Sequence, residues 1–394
     1  MGVAALISAY QEDDSGALRA LLPLAGRTLV EYQVRCAAAA GAAPIVLVVQ
    51  RVPQALQDAI ERLRLDSIVV FAVSEINEAI SRFEPGMSIL LIADGIAPPV
   101  ELVTRMAEES ERVVAVVPDD EQHQAYERID AGSRWAGVAM VDVPLLGSTA
   151  VMLGDWDLQS TLLRRAIQEG ALRINATEAG GEPLLVENAG QLAEFQRVLI
   201  KASRGARTDF ASRYLLAPVE DFATEQLMET PVRPLWLIWT ALALTLGGAF
   251  CFTRGWLGAG LVLLLLSTPL DLIAGRLASL RLKPLPIKML SRSLLWPASG
   301  LALLAIGLWE MRHGPGWGAL VAAAAGCGFA EAMRIEKASM PPGGDLWLFS
   351  RRNVVALAIP FALGGVWTAY LLGLLAYAAI SFFIVQRVRH SLTS

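Results

Sequence analysis

Between Leu270 and Arg292 the 394-residue chain sets one carboxylate, Asp271, beside five cations, Arg276, Arg281, Lys283, Lys288 and Arg292. Asp271 ends an apolar run, and a carboxylate there is costly in a bilayer unless it is paired or wet, so Arg276 or Arg281 is its expected partner. The cationic cluster suits a phosphate or an anionic lipid headgroup held without metal, or simply a basic loop at the membrane face. Glu331, inside a later apolar run, raises the same question of a partner. Near the start of the chain lies a second constellation. The segment Ala9-Tyr-Gln-Glu-Asp-Asp-Ser-Gly16 follows a short apolar run and carries one glycine with three acids, Glu12, Asp13 and Asp14, ahead of the cation Arg19. Asp94 closes another apolar run and precedes Gly95, a pair that also signals a turn.

The elements that must hold these groups divide the chain in two. Hydrophobic residues make up 54% and charged residues 18%, with a mean hydropathy of +0.47, too apolar for an ordinary soluble chain. The excess begins at Pro234, with runs such as Leu235 to Phe252 and Leu257 to Leu270 that approach the length of a crossing. Charge splits at the same border. From Arg233 onward there are 14 Lys/Arg against 5 Asp/Glu, leaving 19 against 33 before it, so the front is net −14 and the back net +9. An acidic front excludes a phosphate-backbone partner such as nucleic acid. The three cysteines, Cys36, Cys251 and Cys327, are scattered and form neither a disulfide framework nor a zinc spacing.

Up to about Lys201 short apolar runs alternate with helical patterns, the signature of an α/β unit around a mostly parallel sheet. Strands are predicted at Val3 to Ser8, Ile45 to Val49, Ile68 to Val73, Ser88 to Ile92 and Val113 to Val117. Helices are predicted at Thr28 to Ala40, Pro53 to Arg64, Ile76 to Phe83, Pro99 to Glu109, Asp157 to Glu169 and Gly190 to Ala202. The domains expected are residues 1–202, an interfacial juxtamembrane segment over 203–233, and a membrane domain over 234–394. Phe210, Tyr214, Leu215, Val219, Phe222 and Leu227 interleaved with charges suit a helix lying at the headgroups.

About six transmembrane helices are predicted, with Gly364-Gly365 breaking the long apolar stretch Val354 to Gln386 into two. With the front domain inside, the inner loops and tail carry eleven Lys/Arg and the outer loops only Arg254 and Arg312. Met1 to Ser8 has no basic leader, so the front domain and the C-terminus are expected in the cytoplasm, at a bacterial inner membrane.

Two resemblances follow from these residues. Arg19-Ala-Leu-Leu-Pro-Leu-Ala-Gly26-Arg-Thr-Leu-Val-Glu-Tyr32, directly after the first strand, resembles the sugar-phosphate nucleotidyltransferases, whose Gly-rich loop wraps nucleotide phosphates and whose lysine faces the leaving pyrophosphate. The resemblance implies a Rossmann-like, GT-A-like fold, with Arg19 in the lysine's place, Gly16 and Gly26 beside the nucleotide, and Asp94 and Glu187 as Mg²⁺ ligands, since that hard cation takes oxygen. The segment Asp271-Leu-Ile-Ala-Gly275-Arg-Leu-Ala-Ser279 looks like the signature of the CDP-alcohol phosphatidyltransferases, where four aspartates at helical spacing hold two metals for phosphoryl transfer. Asp271, Gly275 and Ala278 match. Ala274 and Ser279 replace an aspartate and an arginine, and Lys288, Arg292 and Trp296 stand where a glycine and two aspartates are usual.

The order of the two domains is similar to the bifunctional inositol-1-phosphate cytidylyltransferase and di-myo-inositol-phosphate-phosphate synthase fusions. That resemblance implies CTP or a CDP-alcohol as ligand, Mg²⁺ as cofactor, Asp271 as a catalytic base, Gly275 near the nucleotide, membrane lipids as partners, and a homodimer. Two functions are expected from it. One is an enzyme of polar-lipid or phospholipid headgroup synthesis; the other is a catalytically degenerate descendant that binds lipid, nucleotide or a partner enzyme and regulates or scaffolds that pathway.

Overall fold

The computed structural model describes residues 2–393 except 14–15, 153–156, 204–207, 229, 231, 283–289, 315 and 338–345. The chain forms two compact units, the first Met1–Lys201 together with the short segment that opens at Arg281, and the second the rest of the chain from Ala202.

The first unit is built on a seven-stranded sheet. Its strands are β1 (Val3–Ser8), β2 (Ile45–Val48), β3 (Val70–Val73), β4 (Ser88–Ile92), β5 (Val113–Pro118), β6 (Ser133–Asp142) and β7 (Leu172–Asn175), in the order β7-β5-β6-β4-β1-β2-β3. All pairings are parallel except those of β6, which runs antiparallel to both β4 and β5. The central strands are apolar on both faces: Ala4 to Ile7 and Ile89 to Ile92 have no exposed surface, as a sheet covered by helices on both sides requires.

The covering helices are α1 (Leu29–Ala39), α2 (Gln54–Leu65), α3 (Ile76–Ser81), α4 (Val100–Ala107), α5 (Val143–Met152), α6 (Leu158–Gln168) and α7 (Ala189–Ala202). Helix α1 starts at a capping box, in which Thr28 and Glu31 satisfy each other's backbone N–H groups. Five of the seven strands and six of the seven helices stand where the sequence places them. Strands β6 and β7 and helix α5 are additions.

The second unit is helical. The segment expected to lie at the interface becomes one π turn, Ala211–Leu215, and helix α8 (Ala217–Met228). Helix α8 buries Glu220, Thr224 and Met228 and leaves Val219 and Phe222 exposed. Then follow α9 (Pro234–Thr253), α10 (Leu257–Ser267), α11 (Leu270–Leu280), α12 (Leu290–His313), α13 (Gly318–Lys337), α14 (Arg351–Leu363) and α15 (Trp367–Thr393). Pro269, which has no N–H to donate, stands at the break between α10 and α11, which together make one apolar span, Leu257–Leu280.

Among the described residues five helical spans, rather than six, are long and apolar enough to cross a membrane. The shortfall is α14: its 13 residues reach ~20 Å against a hydrocarbon layer of ~30 Å. Gly364 and Gly365 do break the last apolar stretch, Gly365 with a φ of +66° that suits glycine. Helix α14 is nonetheless a return leg. Thr368 at the start of α15 donates to Glu310 near the end of α12, and the ring of Trp367 lies 6.2 Å from that of Phe252 at the end of α9. At the other end, Arg389 of α15 pairs with Glu336 of α13. Helices α13 and α15 therefore run parallel, and the chain must recross between them.

Candidate functional sites

In the first unit the candidate site is the corner after β4. Gly95 has a φ of +71°, and a Cβ there would lie 3.2 Å from the Val186 carbonyl and 3.6 Å from Arg19 Cδ, so glycine lets three segments meet. From α1, Gln33 donates its side-chain amide to the carbonyls of Ala93 (3.1 Å) and Ile96 (2.6 Å), clamping the corner from behind. Asp94 Oδ2 accepts the backbone N–H groups of Tyr10 and Gln11, each at 2.6 Å, which ties the loop after β1 to the end of β4. Burial pushes the Asp94 carboxyl up to about 6, against the opposing pull of the Gln11, Tyr10 and Gly95 N–H groups and of Arg19. Its Oδ1 is buried without a hydrogen-bond partner.

The loop closes on itself. Gly16 N–H donates to Asp13, Ala17 N–H reaches the Asp13 carboxylate, and Arg19 donates to the Glu12 carbonyl and to Gln11 Oε1, each at 3.1 Å. Arg51, which sequence reasoning passed over, pairs with Glu12 at 2.7 Å and donates to the Gly16 carbonyl. It offsets one of the acids that would repel a triphosphate. Glu187 stands at the same corner, because Val186 N–H donates to the Gly95 carbonyl at 2.7 Å, and it is exposed.

Arg19, Gly16, Asp94 and Glu187 are thus brought to one place. Gly26 serves elsewhere. With φ of +53° at Ala25 and +72° at Gly26, the pair makes a tight turn between the short paired strands Pro23–Leu24 and Arg27–Thr28. Asp94 and Glu187 are the two carboxylates at this corner that could serve as oxygen ligands to a hard cation such as Mg²⁺.

In the second unit Asp271 is the centre of a different arrangement. It is paired neither with Arg276 nor with Arg281, as expected, but with Arg352 at 2.6 Å, and it faces Arg351 at 3.9 Å. Arg352 also holds Asp209 at 2.9 Å. Helix α14 supplies both arginines because Ser350 caps it, accepting from Asn353 N–H, and Asn353 in turn accepts from Ala211 N–H. Arg276 is buried against Glu220 and Asp221 of α8 and donates to Ser203.

This correction has a plain cause. Arg276 follows Asp271 by five residues, which turns the two side chains to different sides of α11, while Arg351 and Arg352 arrive from eighty residues downstream. Gly275 lies in α11 with open space where a Cβ would be. Arg281 follows α11 and is buried. Lys283 and Lys288 lie outside the described residues, as does the side chain of Arg292, so the cationic cluster is described only at Arg276 and Arg281.

Glu331 finds its partners in Trp296, whose indole N–H donates at 2.8 Å, and in Arg334. Among the described residues no group of three or more His, Cys, Asp or Glu side chains converges as metal ligands would. Asp271, flanked by two guanidinium groups, does not fit a two-metal centre, since each metal needs a surplus of oxygen ligands.

Two solved structures are similar to the front half. One is a nucleotidyl transferase from Methanothermobacter thermautotroptrophicus, 16% identical over 51% of this chain and 99% of its own, with a TM-score of 0.37. The other is UDP-glucose pyrophosphorylase complexed with UDP-glucose, 11% identical over 51% of this chain and 100% of its own, with a TM-score of 0.39. No family model and no curated protein matches the chain.

Proposed function

We propose that the protein is a membrane-bound, nucleotide-binding member of polar-lipid headgroup synthesis that has given up two-metal phosphoryl transfer and acts by binding, as a regulator or scaffold. The observation that carries this reading is the ion pairing of Asp271 with Arg352 and Arg351. A CDP-alcohol transferase needs a net-negative pocket to hold two divalent cations over a diphosphate. Here the one matching aspartate sits with two cations, and Ala274 and Trp296 stand where two of the other carboxylates would be.

The front corner supports the binding half. The Asp94 carboxylate and Glu187 would hold a Mg²⁺ brought by CTP or a CDP-alcohol, and that ion would offset phosphate charge. Arg19 stands within reach of the same corner, and Arg51 neutralises Glu12, so the loop is less hostile to phosphate than its three acids suggest.

The test uses the purified full-length protein in lipid nanodiscs with Mg²⁺ and either CTP plus an alcohol phosphate or a CDP-alcohol plus an acceptor. Calorimetry should show nucleotide binding that Asp94→Asn weakens at least tenfold, with no release of pyrophosphate or CMP. Release of CMP that Asp271→Asn abolishes would overturn the reading in favour of the enzyme.

A further inference from the structure

The second unit holds a partly open cavity of about 230 Å³ between its helices. Its walls are mostly apolar, with Phe252, Leu264, Trp296, Trp367 and Tyr370 among them; Arg351 lines it, as does Glu331, whose carboxylate is taken by Trp296 and Arg334. The Arg351 side chain is only 10% exposed. A guanidinium has five N–H donors. Arg351 Nη2 donates to Thr245 Oγ1 (2.9 Å) and Ser267 Oγ (2.7 Å), both fully buried, while Nε and Nη1 have no hydrogen-bond partner. Asp271 Oδ1 is 3.9 Å from Nη1, beyond hydrogen-bond range. Thr245 lies ~17 Å along α9 from Pro234, so the guanidinium sits deep in the helical unit rather than at its rim.

Buried donors without acceptors are rare, and a charged group inside a membrane domain marks a site. Nε and Nη1 together carry three N–H donors without a hydrogen-bonded acceptor on a residue that lines an apolar chamber, and an oxyanion attached to an apolar body would supply one once the side chain turns toward it. The chamber is smaller than the ~300–1,000 Å³ of pockets for drug-sized ligands, which restricts that body to a single chain.

We propose that this cavity binds a single-chain anionic amphiphile, its phosphate or carboxylate on Arg351 and its hydrocarbon among Phe252, Trp296, Trp367 and Tyr370. Arg352 is occupied by Asp209 and Asp271 and serves to position Asp271 beside Arg351. The site stands whether or not the front unit binds a nucleotide, and no nucleotide enters its test.

Full-length protein in phosphatidylcholine nanodiscs is titrated with dodecyl phosphate, dodecanol or inorganic phosphate, and the fluorescence of the cavity's tryptophans is followed. Dodecyl phosphate should bind saturably at one site, and dodecanol and inorganic phosphate at least tenfold more weakly. Arg351→Gln should weaken dodecyl phosphate at least tenfold. So should Gly300→Leu, which fills the chamber: a Cβ at Gly300 meets nothing closer than Cys327 Sγ at 3.8 Å, so the change is tolerated by the backbone. Equal binding of dodecanol would mean partition without anion recognition, and equal binding of inorganic phosphate would mean a plain oxyanion site. Either result, or unchanged affinity in Arg351→Gln, overturns the proposal. Should Arg351→Gln fail to assemble, Gly300→Leu and the three-ligand comparison decide alone.

Discussion

At the scale of single residues, Asp94 serves two purposes that pull apart. Its Oδ2 anchors the loop after β1 through two backbone N–H groups, and its Oδ1 is left bare. The buried acid prefers its neutral form, which shifts its pKa from ~3.9 in the unfolded chain up to about 6. Its contribution to stability is therefore full below the unfolded value and is lost as pH climbs through about 6, by up to ~3 kcal/mol. Asparagine keeps an oxygen for the two N–H groups and carries no charge to bury. Asp94→Asn should thus stabilise the front unit at pH 7 by ~2–3 kcal/mol and leave it unchanged at pH 4. Denaturant unfolding of the full-length protein, followed by amide exchange in Ser88–Ile92, measures this, and a destabilised variant at pH 7 would refute it. Asp94 and Arg19 were legible from sequence because each sits beside a sharp local signal, a strand end and a loop. The partners of Asp271 were not. Arg351 and Arg352 abut an apolar run and so count as loop charges until Ser350 is seen to cap a helix that carries them inside.

At the scale of elements, the same limit explains why β6 escaped notice. Its run Trp135 to Val141 is apolar, but Gly137 interrupts the regular pattern, and an isolated glycine there signals a bulge or a close backbone approach. The structure needs that glycine. Its φ is +79°, its carbonyl accepts from Ala93 N–H at 2.8 Å, and a Cβ there would lie 2.4 Å from Ile96 Cγ1. Strand β6 passes so close to the Asp94 corner that no side chain fits between. Gly137→Ala combines an unfavourable backbone region with overpacking against a buried isoleucine, together about 2–4 kcal/mol. Because the contact is with Ile96, the loss should appear as faster amide exchange at Ala93 to Ala97 and in β6 before the rest of the sheet. Uniform exchange with an unchanged unfolding midpoint would show that the corner does not depend on β6. Strand β7 was missed for a simpler reason: at an edge, with Leu172 half-exposed, it has no apolar alternation to read.

At the scale of the whole molecule, charge and helix direction can be set against each other. Arg276 and Arg352 leave the tally of inner-loop cations because they are committed to buried or nearly buried ion pairs, and Arg351 leaves it because its side chain is only 10% exposed. Eight of the eleven then remain against Arg254 and Arg312, so the bias toward one side of the membrane persists. The number of long apolar spans, five, would by itself put the two ends of the helical unit on opposite sides. The parallel course of α13 and α15 says otherwise, since Arg389 meets Glu336 at one end while Thr368 meets Glu310 near the end of α12 at the other. The short α14 therefore returns the chain from the end of α13 to the start of α15, entered through Leu346 to Ser350, where the Leu346 carbonyl accepts from Phe210 N–H. The expectation from the charge count that the front unit and the C-terminus share one side of the membrane can be tested directly. In a variant whose Cys36, Cys251 and Cys327 are replaced, a membrane-impermeant maleimide should label Arg254→Cys on intact spheroplasts and spare Arg387→Cys, and should do the reverse on inside-out vesicles. Labelling of both positions from the same side would mean that α14 does not return the chain, and that five crossings, not six, describe the molecule.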